Sequence, residues 1–298
     1  MSKEIIDFYD LNNENWANLL DENTNYLPHQ KAIAVNLLNS LGSENSSMLD
    51  VGCGAGQILT KIYPNYKFLK GIDISESMLN HAKKLKKISN LNEKKITYEE
   101  ISFKNFLSEN NYYFDVYSFI GYFVHHENSL SEHLYLLKNK FMNLSTVQNK
   151  KVYIVASFKN KLFGLYAINQ RSRELFKEIS DYSLDYFKSK DDQKNSFKYF
   201  HELTKNDFKS ENIEKEQYLN VFKGEHVLEE VIVQFEKYGY EIEKTQYANP
   251  HSLPPSMGEG EKAKLTNLEI VELTNNIQED WRSQFTCSMF YMVASINL

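Results

Sequence analysis

The nine residues Leu49-Asp50-Val51-Gly52-Cys53-Gly54-Ala55-Gly56-Gln57 constrain this chain more than any others. An apolar strand from Met48 to Val51 runs into three alternating glycines and then into a helix starting near Gln57. Glycine has no Cβ, so such a bend lets the backbone approach a ligand closely and brings its N–H groups within hydrogen-bond reach. A second strand-like run, Tyr66 to Ile72, is closed by Asp73. An acid at the tip of the second strand of an open parallel sheet is placed to grip a ribose. Bend and acid together predict a nucleoside-containing cofactor.

The glycine spacing narrows the choice. In the dinucleotide fingerprint G-x-G-x-x-G, Gly52 and Gly54 fit but the third place falls on Gln57. The alternation Gly52, Gly54, Gly56, with Asp50 just before it, resembles motif I of the class I S-adenosylmethionine-dependent methyltransferases. The stretch Gly71-Ile72-Asp73-Ile74-Ser75-Glu76-Ser77-Met78-Leu79 resembles the second motif of that superfamily, in which the acid binds both ribose hydroxyls. The resemblance covers about residues 45–160. It implies an α/β, Rossmann-like fold with a seven-stranded, mostly parallel sheet. It also implies S-adenosylmethionine as cofactor and S-adenosylhomocysteine as its product, held by Asp50, Gly52, Gly54, Gly56, Gln57, Asp73, Ile74 and Met78. Charge supports this. The donor has no pyrophosphate, and a carboxylate near the loop attracts its sulfonium and ammonium where it would repel a diphosphate. A nicotinamide-dependent oxidoreductase and a non-catalytic S-adenosylmethionine-binding module are the alternatives.

At 298 residues and 42% hydrophobic content, the chain can form one large α/β domain or one domain with a sizeable insertion. The longest apolar runs (Leu49 to Val51, Val152 to Ala156, Met289 to Ala294) are strand-length, so no transmembrane helix is expected. The charged start Met1-Ser2-Lys3-Glu4, followed by no long apolar run, predicts no secretory signal. Cys53 and Cys287 suit a reducing cytoplasm and support neither a disulfide framework nor a zinc or other metal site. A net charge of −6 argues against a nucleic-acid partner. Lys83, Lys84, Lys86 and Lys87 read as the solvated back of a helix whose Met78, Leu79, Ala82 and Leu85 face the sheet. The 20 Tyr and 19 Phe supply the core and leave material for an aromatic-lined pocket. The expected partner is a small-molecule methyl acceptor, with no nucleic acid and no membrane; an RNA or protein acceptor is disfavoured. Nothing in the chain specifies an oligomeric state.

Residues 1–43 read as a helical lead-in over the mouth of the site, with an apolar stripe of Leu27, Ile33, Leu37, Leu38 and Leu41. Residues 44–160 form the cofactor-binding core. Its later strands are Ile96 to Ile101, Phe114 to Ile120 and Val152 to Phe158, with a helix from Ser129 to Met142. The charged, aromatic stretch 161–222 is too long for a structureless loop and reads as a helical insertion or cap. Residues 223–298 complete the core. They read as a helix from Glu225 to Tyr238, a strand from Tyr240 to Tyr247, a Pro/Gly-rich loop from Asn249 to Gly260, a helix from Leu265 to Ile277 and a last strand from Phe285 to Ile296. The last two strands suit the antiparallel closing pair that the resemblance implies.

Methyl transfer from a sulfonium is an in-line displacement, so the protein must align nucleophile and methyl carbon, exclude water and, for an amine or hydroxyl, take up a proton. Ligands sit at the C-terminal ends of the strands in such sheets. After the fourth strand comes Gly121-Tyr122-Phe123-Val124-His125-His126, and in the family this segment flanks the methyl group. His125, then His126, are the candidate bases. Tyr122, with Tyr9, Trp16, Tyr26 and His29 of the lead-in, are candidates for the acceptor pocket. After the third strand the family commonly places an acid on the adenine amino group; here Ser102 offers the polar contact and Phe103 a stacking ring. Ile120 is expected to pack on the adenosine. The overall layout is similar to that of the histamine N-methyltransferase group, in which a glutamate in the lead-in holds the amine. Tyr26-Leu27-Pro28-His29-Gln30 has no carboxylate, so histamine itself is not implied.

Overall fold

β1 (Ser47–Val51) lies inside a sheet, and Met48 to Val51 are buried. Burial on both faces explains the apolar run, in which Asp50 is the single polar member. The computed structural model describes residues 3–11, 27–125, 129–143, 150–167, 224–250 and 281–298. β1 pairs in parallel with β2 (Phe68–Asp73) on one side and with β4 (Val116–Phe119) on the other. β3 (Ile96–Glu100) extends the sheet beyond β2, and β5 (Lys151–Asn160) extends it beyond β4, both in parallel. Asp50 is in register with Gly71 and with Ser118. The chain leaves β1 toward β2 and later returns to β4 on its opposite side, and this reversal opens a crevice at the C-terminal end of β1.

β7 (Glu241–Pro250) and β8 (Cys287–Asn297) complete the order β3-β2-β1-β4-β5-β8-β7, with β8 next to β5. These are the seven expected strands. An eighth, β6 (Glu225–His226), pairs with β5 where the sequence predicts the start of a helix. The helix that follows therefore spans only Leu228–Lys237. β4 is shorter than expected and ends before Ile120, while β7 runs on to Pro250. β8 starts at Cys287 because a short helix takes Ser283–Thr286. The expected helix from Leu265 to Ile277 lies outside the described residues, as does most of the insertion.

Helices α1 (Lys3–Leu11) and α2 (Leu27–Leu41) form the described lead-in. α3 (Gln57–Ile62) follows the glycine bend, and α4 (Glu76–Ile88) follows β2. α4 is well specified. Ser75 Oγ accepts the Met78 N–H at its start, Glu76 lies in the first turn, and Lys86 and Lys87 lie in the last. Met78, Leu79 and Ala82 are buried beneath it, while Lys83, Lys84 and Lys87 are exposed. α5 (Phe103–Glu109), not read from the sequence, is capped by Ser102, and α6 (Ser129–Met142) precedes β5.

The chain divides into two compact units, residues 1–159 with 217–246 and 290–298, and residues 160–216 with 247–289. Four phenyl rings stack through the interior of the first. Phe119–Phe123, Phe123–Phe158 and Phe158–Phe290 have centroids 5.3, 5.4 and 5.2 Å apart. All four are buried, each worth about 1.5–3 kcal/mol of transfer free energy. In the second unit the Asn160 amide donates to the carbonyls of Gln284 and Cys287. Among the described residues no helix is long and apolar enough to cross a membrane.

Candidate functional site

The bend after β1 places Gly52, Gly54 and Gly56 at φ 71°, 50° and 72°, in the left-handed region. Two of these positions require glycine for a second reason. A Cβ on Gly52 would lie 2.9 Å from Cδ2 of Tyr122, and one on Gly56 would lie 2.5 Å from Tyr98 Oη and 2.9 Å from Ala82 Cβ. Gly52 is exposed and Gly56 is buried, so the loop runs from an open crevice into the interior. Met78 lies beneath Gly54. Gln57 follows as the first residue of α3 and is half-buried.

One expectation about this loop is corrected. Its N–H groups are largely satisfied within the protein. Gly52 and Cys53 both donate to Ile72 O, at 2.8 and 3.1 Å, and Gly56 donates to Cys53 O at 3.0 Å. Gly54 donates to Asp73 Oδ2 at 2.8 Å. A tight bend packed against β2 must pair its amides somewhere, and the strand end is nearest. The bend therefore does not present a row of donors; its missing Cβ atoms let Tyr122, Tyr98 and Met78 pack close to its backbone.

Asp73 closes the crevice from the β2 side. Its Oδ1 accepts the Ser75 N–H at 3.0 Å. Burial raises its pKa, backbone amides oppose that, and the charge of Asp10 adds to the rise. Asp50 sits under the loop, 3% exposed, and burial pushes its pKa up to about 7. Ser118 on β4 counters part of this, and the Asp73 charge reinforces it. Two carboxylates thus converge on the bend. Among the described residues no group of three or more His, Cys, Asp or Glu is arranged to hold a metal ion.

The opposite wall is the turn after β4. Ser157 Oγ on β5 accepts the Gly121 N–H at 2.8 Å. Val124 O accepts the Gly224 N–H at 2.9 Å, and His226 Nε2 lies 3.4 Å from Phe123 O. His125 Nε2 is 3.0 Å from the Tyr9 hydroxyl on α1, and the two rings meet edge to face. The next residue of α1, Asp10, accepts from Ser75 Oγ at 2.7 Å and from Ser77 Oγ at 2.6 Å. α1 thus spans from the start of α4 to the turn after β4, across the mouth of the crevice.

The structure brings together Asp50, the three glycines, Asp73, Met78, Tyr122, His125 and Tyr9. Ile74 and Ile120 are half-buried at the ends of β2 and β4. Ser102 Oγ is occupied in capping α5, where it accepts the Asn105 N–H at 3.3 Å. Phe103 is 2% exposed and packed, stacked on His133 at 5.2 Å and edge-on to Phe119, so the expected free stacking face is not presented. Trp16, Tyr26 and His126 lie outside the described residues, and for His29 only its place near the start of α2 is described. Sequence reading missed Asp10, Ser118 and His133. Asp10 carries no local signal. His133 shares the buried face of α6 with Leu130, Leu134, Leu137 and Phe141, so its helical spacing marked it as interior.

A family model described as a methyltransferase domain matches residues 42–224. No curated protein matches the chain. Among solved structures, it is similar to magnesium protoporphyrin IX methyltransferase from Synechocystis PCC 6803 with bound SAH. The identity is 12% and the TM-score 0.53, over 98% of this chain and 97% of that one. The same enzyme with bound SAM matches at 10% identity and a TM-score of 0.50, over 99% and 98% of the two chains. At these identities the likeness is one of fold.

Proposed function

Since the chain belongs to the methyltransferase-domain family, we propose that it transfers the methyl group of S-adenosylmethionine to a nitrogen or oxygen of a small molecule by in-line displacement. Membership in that family sets aside the nicotinamide-dependent alternative. The observation that carries the reading is the Asp73 carboxylate, which closes β2 and holds Gly54 of the bend at 2.8 Å. An ionised carboxylate has about four acceptor positions. The amides of Gly54 and Ser75 use two, which leaves capacity for the ribose hydroxyls.

The residues fit this group by charge and by space. Asp50 is a buried acid with a pKa near 7, and a cation nearby lowers such a pKa and restores the charge. The bend with no Cβ at Gly52 lets the Tyr122 ring lie against its backbone, where an aromatic wall can face the donor. Gln57, Ile74 and Met78, with Ile120 and Ser102 after β4 and β3, are the residues we assign to the adenosine and methionine parts of the donor. When bound, S-adenosylmethionine supplies a methyl carbon already activated by the sulfonium charge, so the protein has mainly to align and to exclude water.

His125 is the proposed base, taking the proton from the acceptor nitrogen or oxygen, and His126 is the second candidate. Tyr9 holds Nε2 of His125, and α1 excludes water from the mouth. Trp16, Tyr26 and His29 remain candidates for the acceptor pocket. The small-molecule assignment rests on the net charge of −6 and the aromatic content. Two free cysteines fit a cytoplasmic setting.

Calorimetry with S-adenosylmethionine and S-adenosylhomocysteine tests the donor. Both should bind, and Asp73→Ala should weaken both at least tenfold, because a charged acceptor contributes about 1.5–3 kcal/mol per hydrogen bond. No binding of either by the wild type at millimolar concentration refutes the assignment. A screen of amines, phenols and sugars with radiolabelled donor identifies the acceptor class.

A further inference from the structure

A buried chain of contacts runs from α6 to the glycine bend through two aromatic residues. His133 Nδ1 lies 2.6 Å from Ser129 O. A carbonyl only accepts, so Nδ1 carries the proton, and Nε2 of the neutral ring is then an acceptor. Nε2 is 3.0 Å from the Tyr122 hydroxyl. Burial, with the charge of Asp73 adding to it, pushes the Tyr122 phenol up from its ordinary value, so the hydroxyl keeps its proton and donates it to Nε2. The His133 ring is itself pinned. It stacks on Phe103 at 4° and meets Phe119 and Phe123 edge to face. The Tyr122 ring in turn is hemmed by Phe119 and Phe123. It reaches the space where Gly52 would carry a Cβ, at 2.9 Å. Gly52 is the exposed end of the bend, and Tyr122 is only 6% exposed. An aromatic ring is therefore fixed at the crevice wall by a hydrogen bond made on its far side.

We propose that His133 is a positioning residue that holds the Tyr122 ring beside Gly52 as a wall for positive charge, so that the site favours the charged methyl donor over its neutral product. This rests on the donor assignment above and moves Tyr122 from the acceptor side to the donor side. The chemistry is selective because of what the two ligands share. Both carry the amino-acid ammonium and the ribose, and only the donor carries a sulfonium. Aromatic rings attract cations more strongly where water is excluded. A ring free to swing loses that attraction, and the buried tether to His133 keeps it in place. Discrimination of this kind helps the product leave after each turnover.

The test is the ratio of the two affinities, measured by calorimetry on the full chain. His133→Phe keeps the volume and the stack on Phe103 and removes the acceptor. Tyr122→Phe keeps the ring and removes the hydroxyl. Each should weaken S-adenosylmethionine relative to S-adenosylhomocysteine by roughly three- to thirtyfold. The double variant should lose no more than either single one, because both cut the same tether. His133→Gln, whose side-chain oxygen can accept the Tyr122 proton, should keep the wild-type ratio even if it melts lower. Equal weakening of both ligands, or additive losses in the double variant, overturns the proposal and leaves His133 a packing residue. Wild-type protein that binds neither ligand overturns the donor assignment and this inference with it. Wild-type binding with an unmoved ratio in the variants overturns this inference alone.

Discussion

Asp50 offers the sharpest quantitative prediction. Its carboxyl is buried under the bend with a pKa near 7, against an ordinary value of 3.8. A rise of about three units corresponds to about 4 kcal/mol. The sign follows from proton counting. Between about pH 4 and pH 7 the native protein keeps a proton on Asp50 that the unfolded chain has released, so stability falls as pH rises through that window. The slope is about 1.4 kcal/mol per pH unit, and it vanishes above about pH 8, where both states are ionised. Asp50→Asn removes the titration and keeps the side chain's size and shape. Other carboxylates titrate in both proteins, so the quantity to read is the difference in unfolding free energy between wild type and variant. It should shift against the wild type by about 3 kcal/mol between about pH 4.5 and pH 8, measured by urea unfolding followed by circular dichroism. Saturating S-adenosylhomocysteine, whose ammonium favours the ionised form, should shrink that shift. A difference that is flat across the range would show that Asp50 is not held in its neutral form, and the argument for a cation site beneath the bend would fall.

Two further perturbations test other parts of the site. Gly56→Ala forces a Cβ against Tyr98 and Ala82 at a left-handed φ, and should destabilise the fold by about 2–5 kcal/mol, seen as a clear drop in melting temperature. Tyr9→Phe removes the hydroxyl on His125 Nε2 and should lower kcat by about two- to twelvefold while donor affinity stays unchanged; a matching loss of donor affinity would place Tyr9 in the donor site instead.

The glycine bend and the place of Asp73 were legible because their signals are local. Gly52, Gly54 and Gly56 sit where strand, bend and helix follow in close succession, and Asp73 ends the next strand. The same reading erred about the bend's amides. Spacing shows that a backbone can approach a ligand, but not that Ile72 O and Asp73 already hold its N–H groups. Ser102 was read by its position after β3, whereas its oxygen is fixed by the nearer requirement of capping α5. The turn after β4 was recognised, and its partners were not. Tyr9 meets His125 across 116 residues, and Asp10 meets Ser75 across 65, with no pattern in the chain linking them. Phe103 illustrates the same limit, since a ring after a strand end is equally suited to a ligand and to the His133 stack that it makes.

The two sides of the crevice have unequal pedigrees in the chain. The bend, Asp50 and Asp73 all come from one continuous stretch, Ser47 to Met78. The turn facing it is stitched to distant segments: Tyr9 at one end, Ser157 from a neighbouring strand, Gly224 and His226 where the chain returns after 223. Exchanging the segments around Ser157 and Gly224 to His226 for foreign ones should re-tailor which molecule receives the methyl group while leaving the bend, Asp50 and Asp73 in place. A fold wired in this way can change its customers without changing its currency.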